Sequence, residues 1–252
     1  VYYAHATSAL THSATVLIEA NSFTSAGHMC MCDVHNQHTM SGSITVKDNT
    51  ITCEGSYCEL ANLQGSVTGS VTISGNSLNM RTTSYKPAVA VNAFTGGSLA
   101  ITNNVLAPTG SGTACGNLLL TKGTGIWSGA TVLLEGNSVT QPTTRTNCGS
   151  LSLVALYGQL LSSTTMTING HDLTMADSFS NAYFVYASVT ITSSTLVVSN
   201  NAITFHSYAS IPVGETNGLF IQGTYTSSVI NILNNAFAYS GVANPLLRAV
   251  FL

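Results

Sequence analysis

The densest group of side chains that could do chemistry lies in residues 28–38, HMCMCDVHNQH. Cysteine thiolates and histidine imidazoles are ligands that zinc prefers in proteins, so a metal site is one interpretation of this segment. Its spacing matches no closed structural zinc site, however, and Cys30 and Cys32 have candidate partners elsewhere in the chain. We therefore favour disulfides beside an exposed, histidine-rich loop, and we predict neither a metal nor any other cofactor.

Acidic side chains are the second candidates, because enzymes that cleave polysaccharides use paired carboxylates or an acidic calcium site. The chain holds only nine acidic residues, and they form no stripe at equivalent positions. Glu19 and Glu135 do share a position relative to the nearest repeat, but more than 100 residues separate them. No nucleophile-elbow motif surrounds a serine. The sequence thus predicts no catalytic residue and a protein that is not an enzyme.

Charge is scarce throughout the chain. Six Lys and Arg against nine acids leave a net charge of −3, and charged residues make up 6% of the chain, against roughly 25% in ordinary soluble domains. No stretch concentrates basic residues, so we expect no nucleic-acid binding. No apolar run is long enough to cross a bilayer, so we expect no membrane insertion by this segment.

One short phrase recurs along the chain, with the pattern apolar, x, apolar, x, small or polar, Asn, x, apolar. Its eight copies occupy residues 16–23, 44–51, 71–78, 99–106, 132–139, 166–173, 196–203 and 230–237. The first two apolar residues of each copy are two positions apart, which places both side chains on one face of a strand. This period of two predicts β-strands and excludes amphipathic helices.

Additional apolar strands lie between the copies, at residues 88–91, 118–120, 151–156, 183–186 and 219–221. A unit of roughly 30 residues with two or three short strands is typical of one turn of a coil. We predict an all-β, right-handed parallel β-helix (β-solenoid) of eight to nine coils of 27–34 residues, spanning 1–252 as one domain. With coils about 4.8 Å apart, eight coils form a rod on the order of 40 Å long.

Each copy contains one anchor residue, and seven of the eight anchors are asparagines. The anchors are Asn21, Asn49, Asn76, Asn104, Asn137, His171, Asn201 and Asn235. The turn after an inward-facing strand needs a residue near the left-handed region, which Asn and Gly tolerate best. Anchors at one corner would hydrogen-bond along the stack as a ladder, each bond contributing about 0.5–1.5 kcal/mol, whereas the alternative is exposed turn asparagines. We interpret His171 as a distorted rung.

The six cysteines allow fifteen pairings, which their positions in the repeat reduce. Cys115 and Cys148 each lie 11 residues after an anchor, and Cys30 and Cys58 each lie 9 after one. Equivalent positions in adjacent coils lie near the separation that a disulfide needs. The sequence therefore predicts Cys115–Cys148 and Cys30–Cys58, with Cys32–Cys53 as the remaining pair. Such bridges indicate an oxidising, extracellular compartment.

Several phrases resemble the dispersed gene family surface proteins of kinetoplastid protozoa. They are Gly-Asn-Ser at 75–77 and 136–138, SLAITNNVL at 98–106 and TACGNL at 113–118. The resemblance covers most of the chain through the degenerate repeat, and it implies very large, cysteine-containing, β-helical cell-surface proteins with adhesive roles. The membrane-anchoring tail of that family has no counterpart here, and the resemblance supplies no catalytic residues.

Both ends of the sequence are apolar and strand-like, at residues 2–6 and 246–252. Because open coils expose unpaired backbone and apolar side chains, we expect them to continue in a longer chain or by end-to-end self-association. The expected function is an extracellular or cell-surface structural rod in a filament or adhesive appendage, with glycans or a host surface as further partners. The alternative is a glycan-binding or polysaccharide-active β-helix protein. Aligned outward aromatics would favour it, but Tyr157, Tyr183 and Tyr225 do not share a position in the repeat.

Overall fold

The chain folds as a parallel β-solenoid. The computed structural model describes residues 2–4, 11–34, 38–54, 58–80, 87–108, 117–139, 148–176, 179–207, 215–241 and 246–251. Within these ranges the regular structure is β-strand throughout, and every paired strand runs parallel to its neighbour. Successive strands of one sheet come from successive coils, which confirms the fold class that the repeat predicts.

The strands that precede the anchors form one eight-stranded sheet, here called sheet I. Its strands are Thr15–Glu19, Ser43–Lys47, Ser70–Ser74, Ser98–Thr102, Thr131–Glu135, Thr165–Asn169, Thr195–Ser199 and Val229–Leu233. Equivalent residues of the repeat are direct neighbours in the sheet: Val71 pairs with Ile44 on one side and Leu99 on the other. The eight copies of the phrase therefore stack in register.

The strands that follow the anchors form sheet II, which is divided into two parts. The first part contains Ser22–Ser25, Thr50–Cys53, Ser77–Met80, Val105–Pro108 and Ser138–Val139. The second part contains Asp172–Ala176, Ala202–Ser207 and Ala236–Gly241. The division falls between the fifth and sixth coils, where His171 replaces the anchor asparagine.

Sheet III completes each coil and contains the longest strands. Its main strands are Tyr2–Ala4, Met29–Val34, Cys58–Val67, Val89–Thr95, Asn117–Lys122, Cys148–Ser162, Phe179–Thr192, Glu215–Gln222 and Leu246–Phe251. Four two-residue strands extend it: Thr11–His12, Thr39–Met40, Trp127–Ser128 and Tyr225–Thr226. β-Bulges interrupt its register, one of them between Tyr157 and Leu160. These irregularities redirect side chains on the outer face.

Apolar side chains that alternate along the strands fill the inside of the coil. In sheet I the inward residues, such as Ile44, Ile73 and Leu134, are completely buried, while their neighbours are partly exposed. Trp127 is the largest fully buried side chain, and its ring lies 6.0 Å from that of Phe94. The period of two seen in the sequence is thus the alternation between core and outer surface.

Six of the eight rungs of sheet I have a neighbour on both sides, and the first and last rungs have one each. The solenoid therefore has about six complete turns, slightly fewer than the eight to nine expected from counting anchors. In the described ranges, no helix is long and apolar enough to cross a membrane.

Candidate functional site

The predicted asparagine ladder is present at the corner between sheets I and II. The Oδ1 atom of Asn76 accepts hydrogen bonds from the backbone N and from Nδ2 of Asn49, at 3.1 and 2.9 Å. Asn104 and Asn137 repeat the same pair of bonds at 3.0 and 2.9 Å. Anchors of the inner coils are buried, so each amide satisfies backbone groups that water does not reach.

The left-handed residue of this turn is the one before the anchor. Ala20, Asp48, Asn103, Asn200 and Asn234 all have φ between 54° and 56°. Glycine occupies the equivalent position in the other three coils, with φ between 59° and 65°. The expectation that left-handed backbone explains the anchor asparagine is therefore wrong. The left-handed conformation restricts the type of residue that precedes the anchor, whereas the hydrogen bonds of the ladder require asparagine at the anchor itself.

His171 occupies the sixth rung and changes the ladder there. Its backbone N–H donates to Oδ1 of Asn201 at 3.0 Å, as in a regular rung. Its Nδ1 and Nε2 atoms, however, lie 3.1 and 3.2 Å from the carbonyl oxygens of Asn137 and Leu134. A neutral imidazole donates from only one nitrogen, so it satisfies only one of these carbonyls. Burial lowers the pKa of His171, although both carbonyl contacts and Glu135 oppose that shift.

A second ladder, built from hydroxyl groups, lies at the corner before sheet I. The backbone N–H of Thr164 donates to Oγ of Ser194 at 3.0 Å, and that of Ser194 donates to Oγ of Ser228 at 3.3 Å. Each hydroxyl also donates to a carbonyl of the preceding coil, as Ser194 does to Leu161 at 3.2 Å. Sequence reasoning missed this ladder, because Ser and Thr are so frequent that three aligned hydroxyls do not stand out.

Close backbone contact replaces the hydroxyl ladder in the earlier coils. The equivalent corner positions there are Gly42, Gly69 and Gly97. A Cβ atom on Gly69 would lie 1.8 Å from the carbonyl oxygen of Gly42, a distance no side chain tolerates. Glycine is therefore required at this corner because the coils approach each other directly.

The cysteine pairing differs from the prediction. Cys53 forms a disulfide with Cys58, and Cys30 and Cys32 are free thiols, so the predicted Cys30–Cys58 and Cys32–Cys53 pairs are wrong. Cys58 pairs across the sheet with Met29 and not with Cys30. A shift of one residue turns a side chain to the opposite face of a strand. Cys30 and Cys58 are equally far from their anchors in sequence, but this distance does not show the one-residue shift in strand pairing. The predicted Cys115–Cys148 pair is not tested, because Cys115 lies outside the described residues.

Of the two free thiols, Cys30 is half-buried and Cys32 is buried. Cys32 is completely buried, and Sγ of Cys30 donates to the carbonyl oxygen of Cys32 at 3.1 Å. Burial raises the pKa of Cys32 to about 12, and burial together with Glu59 and Asp33 raises that of Cys30 further. Both thiols thus stay protonated at neutral pH, which disfavours nucleophilic or metal-binding roles. Across the described ranges, no three His, Cys, Asp or Glu side chains are grouped so that they could hold a metal ion.

Lys122 is the unexpected charged residue of the interior. It occupies an inward-facing column of sheet III, in register with Val91 and Leu156, and is completely buried. Its Nζ atom donates to the carbonyl oxygens of Gly123, Gly125 and Tyr157. Burial lowers the pKa of Lys122 to about 8. The hydrogen bond to the Tyr157 carbonyl holds strand Cys148–Ser162 in place at the residue where its β-bulge begins.

Four aromatic side chains meet on the outer face of sheet III, and we call Tyr157, Tyr183, Tyr186 and Phe220 the aromatic platform. The rings of Tyr186 and Phe220 are stacked, with centroids 5.2 Å apart and planes inclined by 2°. Tyr183 packs edge-on against both rings, at 5.1 and 5.6 Å. The centroid of Tyr157 lies 5.5 Å from that of Tyr186, and Tyr157 is 40% exposed.

Tyr157 and Tyr183 are not register partners, as the sequence predicts, because Tyr157 pairs with Ser188. Tyr157 and Tyr183 both contact Tyr186, while Tyr225 lies beside Ile191 at another corner. The rings of Tyr157 and Tyr183 meet through Tyr186, which lies diagonally across from Tyr157 on the neighbouring strand. Position in the repeat alone could not show this.

A surface groove adjoins the platform along the same strands. It has a volume of about 340 Å³ and is lined by Gly158, Ser188, Val189, Thr190, Gln222 and Gly223. Ser188 is two residues beyond Tyr186, and Gln222 two beyond Phe220, so both point to the same side of the sheet as those rings. Platform and groove therefore form one surface that crosses three neighbouring coils.

No protein-family model, curated protein or solved structure matches this chain. The resemblance to kinetoplastid surface proteins consequently stays a prediction.

Proposed function

We propose that the chain is a non-enzymatic structural rod that forms or contributes to an extracellular filament or adhesive appendage. The observation that carries this proposal is the last rung of sheet I. Ile230 and Ile232 are half-buried there, whereas their register partners Leu196 and Val198 are 1% and 0% exposed. An apolar end face of this kind is complementary to another coil, supplied by more chain or by a second copy.

Two further features support the proposed rod. Stacked parallel coils held by buried ladders give a stiff object, because every coil is tied to its neighbours by backbone and side-chain bonds. The Cys53–Cys58 disulfide is typical of oxidising compartments, which favours an extracellular location. The low charge and hydroxyl-rich composition suit a surface that contacts other surfaces without electrostatic repulsion.

Sedimentation velocity and negative-stain electron microscopy of the purified chain test the proposal. We expect elongated assemblies much heavier than the 26.1 kDa chain. Ile232→Lys places a charge on the end face and should release monomers, because a buried unpaired charge opposes association. Leu233→Lys is the matched control: Leu233 lies on the same rung but faces outward and is 52% exposed, so assembly should persist. A monodisperse monomer of the unmodified chain would contradict the filament.

A further inference from the structure

The aromatic platform lies across the coils as a cluster of stacked and edge-on rings, in which Tyr157 is 40% exposed. The rings of Tyr186 and Phe220 are register partners on adjacent strands, and Tyr157 flanks them from the coil before. Outward positions of the same sheet column in earlier coils hold Asp33, Asn62 and Thr121. Ala90 and Ala155 complete this column, so aromatic residues replace small and polar ones from Tyr186 onward.

The groove beside the platform supplies hydrogen-bonding groups without charge. Ser188, Thr190 and Gln222 contribute hydroxyl and amide groups, and Gly158 and Gly223 keep the floor low because they lack side chains. Gly158 has a φ of 97°, and a Cβ atom there would lie 2.6 Å from Cα of Thr124. The β-bulge beside the groove therefore requires glycine at position 158. Lys122 stabilises this bulge by donating a hydrogen bond to the Tyr157 carbonyl.

We propose that this surface binds a neutral glycan whose sugar rings pack on the aromatic platform while their hydroxyls exchange hydrogen bonds with the groove. Sugar rings combine apolar C–H faces with a rim of hydroxyl groups, and aromatic side chains beside amides and hydroxyls complement both. The volume of about 340 Å³ lies within the range of small-molecule sites. This binding site goes beyond the proposed structural role, because a rod needs no such surface.

Charge selects the class of glycan. None of the side chains that form the platform or line the groove is ionisable to a cation or a carboxylate. A sulfated or uronic-acid glycan would lose solvation of its anionic groups without gaining a cation from the platform or groove side chains. A nucleic acid would meet the same cost at its phosphates. The surface therefore favours neutral hexose chains, and their length should follow the platform across the coils.

A glycan array of neutral and anionic oligosaccharides, followed by titration calorimetry with the neutral compounds that bind, tests the proposal on the full chain. We expect binding to neutral oligosaccharides and none to a heparin hexasaccharide. Tyr186→Leu keeps an apolar side chain but removes the ring, and should weaken binding about tenfold, whereas Tyr186→Phe should keep it within about twofold. Gln222→Leu, which leaves the stack intact, should also weaken binding.

Val105→Ala is the control for a general effect of shortening an exposed apolar side chain, since Val105 is 43% exposed and belongs to sheet II. It should leave affinity unchanged. Binding of no neutral glycan on the array, preference for anionic glycans, or equal affinity of Tyr186→Leu and the unmodified chain would each overturn the proposal. Filament formation is measured separately, so loss of glycan binding in a variant that still assembles leaves the rod intact.

Discussion

Single residues decide how well neighbouring coils of this solenoid bind each other. The side-chain amide of an asparagine anchor both accepts and donates hydrogen bonds. Oδ1 of Asn104 accepts from Nδ2 of Asn76 in the previous coil, and Nδ2 of Asn104 donates to the Ile73 carbonyl of that coil and to a carbonyl of its own coil. His171 offers no equivalent acceptor, and its ring faces two carbonyl oxygens. The break in sheet II falls at this rung. We infer that the imidazole is the reason for the break.

His171→Asn should therefore stabilise the protein. The new amide oxygen would accept from the backbone N–H and Nδ2 of Asn137, two bonds worth about 1–3 kcal/mol together. Denaturant unfolding followed by the fluorescence of Trp127, the single tryptophan, measures the change. The converse variant Asn104→His should lose a similar amount. Stabilisation by both substitutions, or by neither, would show that the ladder does not control this rung.

The same variant should alter the dependence of stability on pH. Burial lowers the folded-state pKa of His171 below its usual value of 6.5, so the unfolded chain binds the proton more readily. The contribution of His171 is fully present above about pH 6.5 and is lost as pH falls from there toward the folded-state pKa. The difference in unfolding free energy between His171→Asn and the unmodified chain should thus widen on acidification. A constant difference between pH 8 and pH 5 would contradict this expectation.

The cysteines give a prediction that covalent mapping can test. Peptide mapping of the unreduced protein should recover a link between Cys53 and Cys58, with Cys30 and Cys32 as thiols. Because burial raises the pKa of both thiols, alkylation should be slow in the folded protein and fast after denaturation. A recovered Cys30–Cys58 peptide would show that the register of Met29–Val34 differs from the one described.

At the scale of elements, both corners that flank sheet I join the later coils through a left-handed residue followed by a side-chain ladder, since Ser163, Ser193 and Ser227 have φ between 48° and 50°. The corner after sheet I uses a left-handed residue followed by an amide ladder. The corner before it uses close backbone contact in the early coils and hydroxyl ladders in the later ones. Both devices satisfy backbone N–H groups that the turn would otherwise leave unpaired.

Gly69→Ala should destabilise the early coils by about 1–3 kcal/mol, because the added methyl group would collide with the Gly42 carbonyl and force the coils apart. Gly27→Ala is the matched control: its Cβ would lie 3.9 Å from the nearest atom, Oγ of Ser25, and should change stability by less than about 0.5 kcal/mol. Thermal unfolding of both variants provides the comparison. Equal midpoints would mean that the corner adjusts without cost.

For the molecule as a whole, stability should vary along the stack. A solenoid is stabilised by contacts between adjacent coils, so a rung with neighbours on both sides opens less readily than a terminal one. Hydrogen exchange followed by mass spectrometry should show slower exchange in Thr165–Asn169 than in Val229–Leu233, the rung with half-buried inward residues. If assembly covers the end face, protection of Val229–Leu233 should rise with protein concentration. Equal protection of both rungs at low concentration would contradict a graded stack.

The sequence by itself determined the coiled architecture, the position of sheet I and the amide ladder. Alternating apolar residues and anchors at regular intervals allow only a stack in which equivalent strands are neighbours, and Val71 between Ile44 and Leu99 shows that they are. These features depend on local periodicity, which is written directly in the order of residues.

Only the tertiary structure decided which side chains meet between corners. The Cys53–Cys58 disulfide, the buried Lys122 and the aromatic platform all depend on the path of the corners and on the register between strands of sheet III. A corner that is one residue longer turns every following side chain to the other face until the next irregularity corrects it. The number of residues between a side chain and its anchor does not show which face of the strand the side chain occupies. Contacts between side chains of neighbouring coils can therefore be assigned only from the strand pairing in the structure.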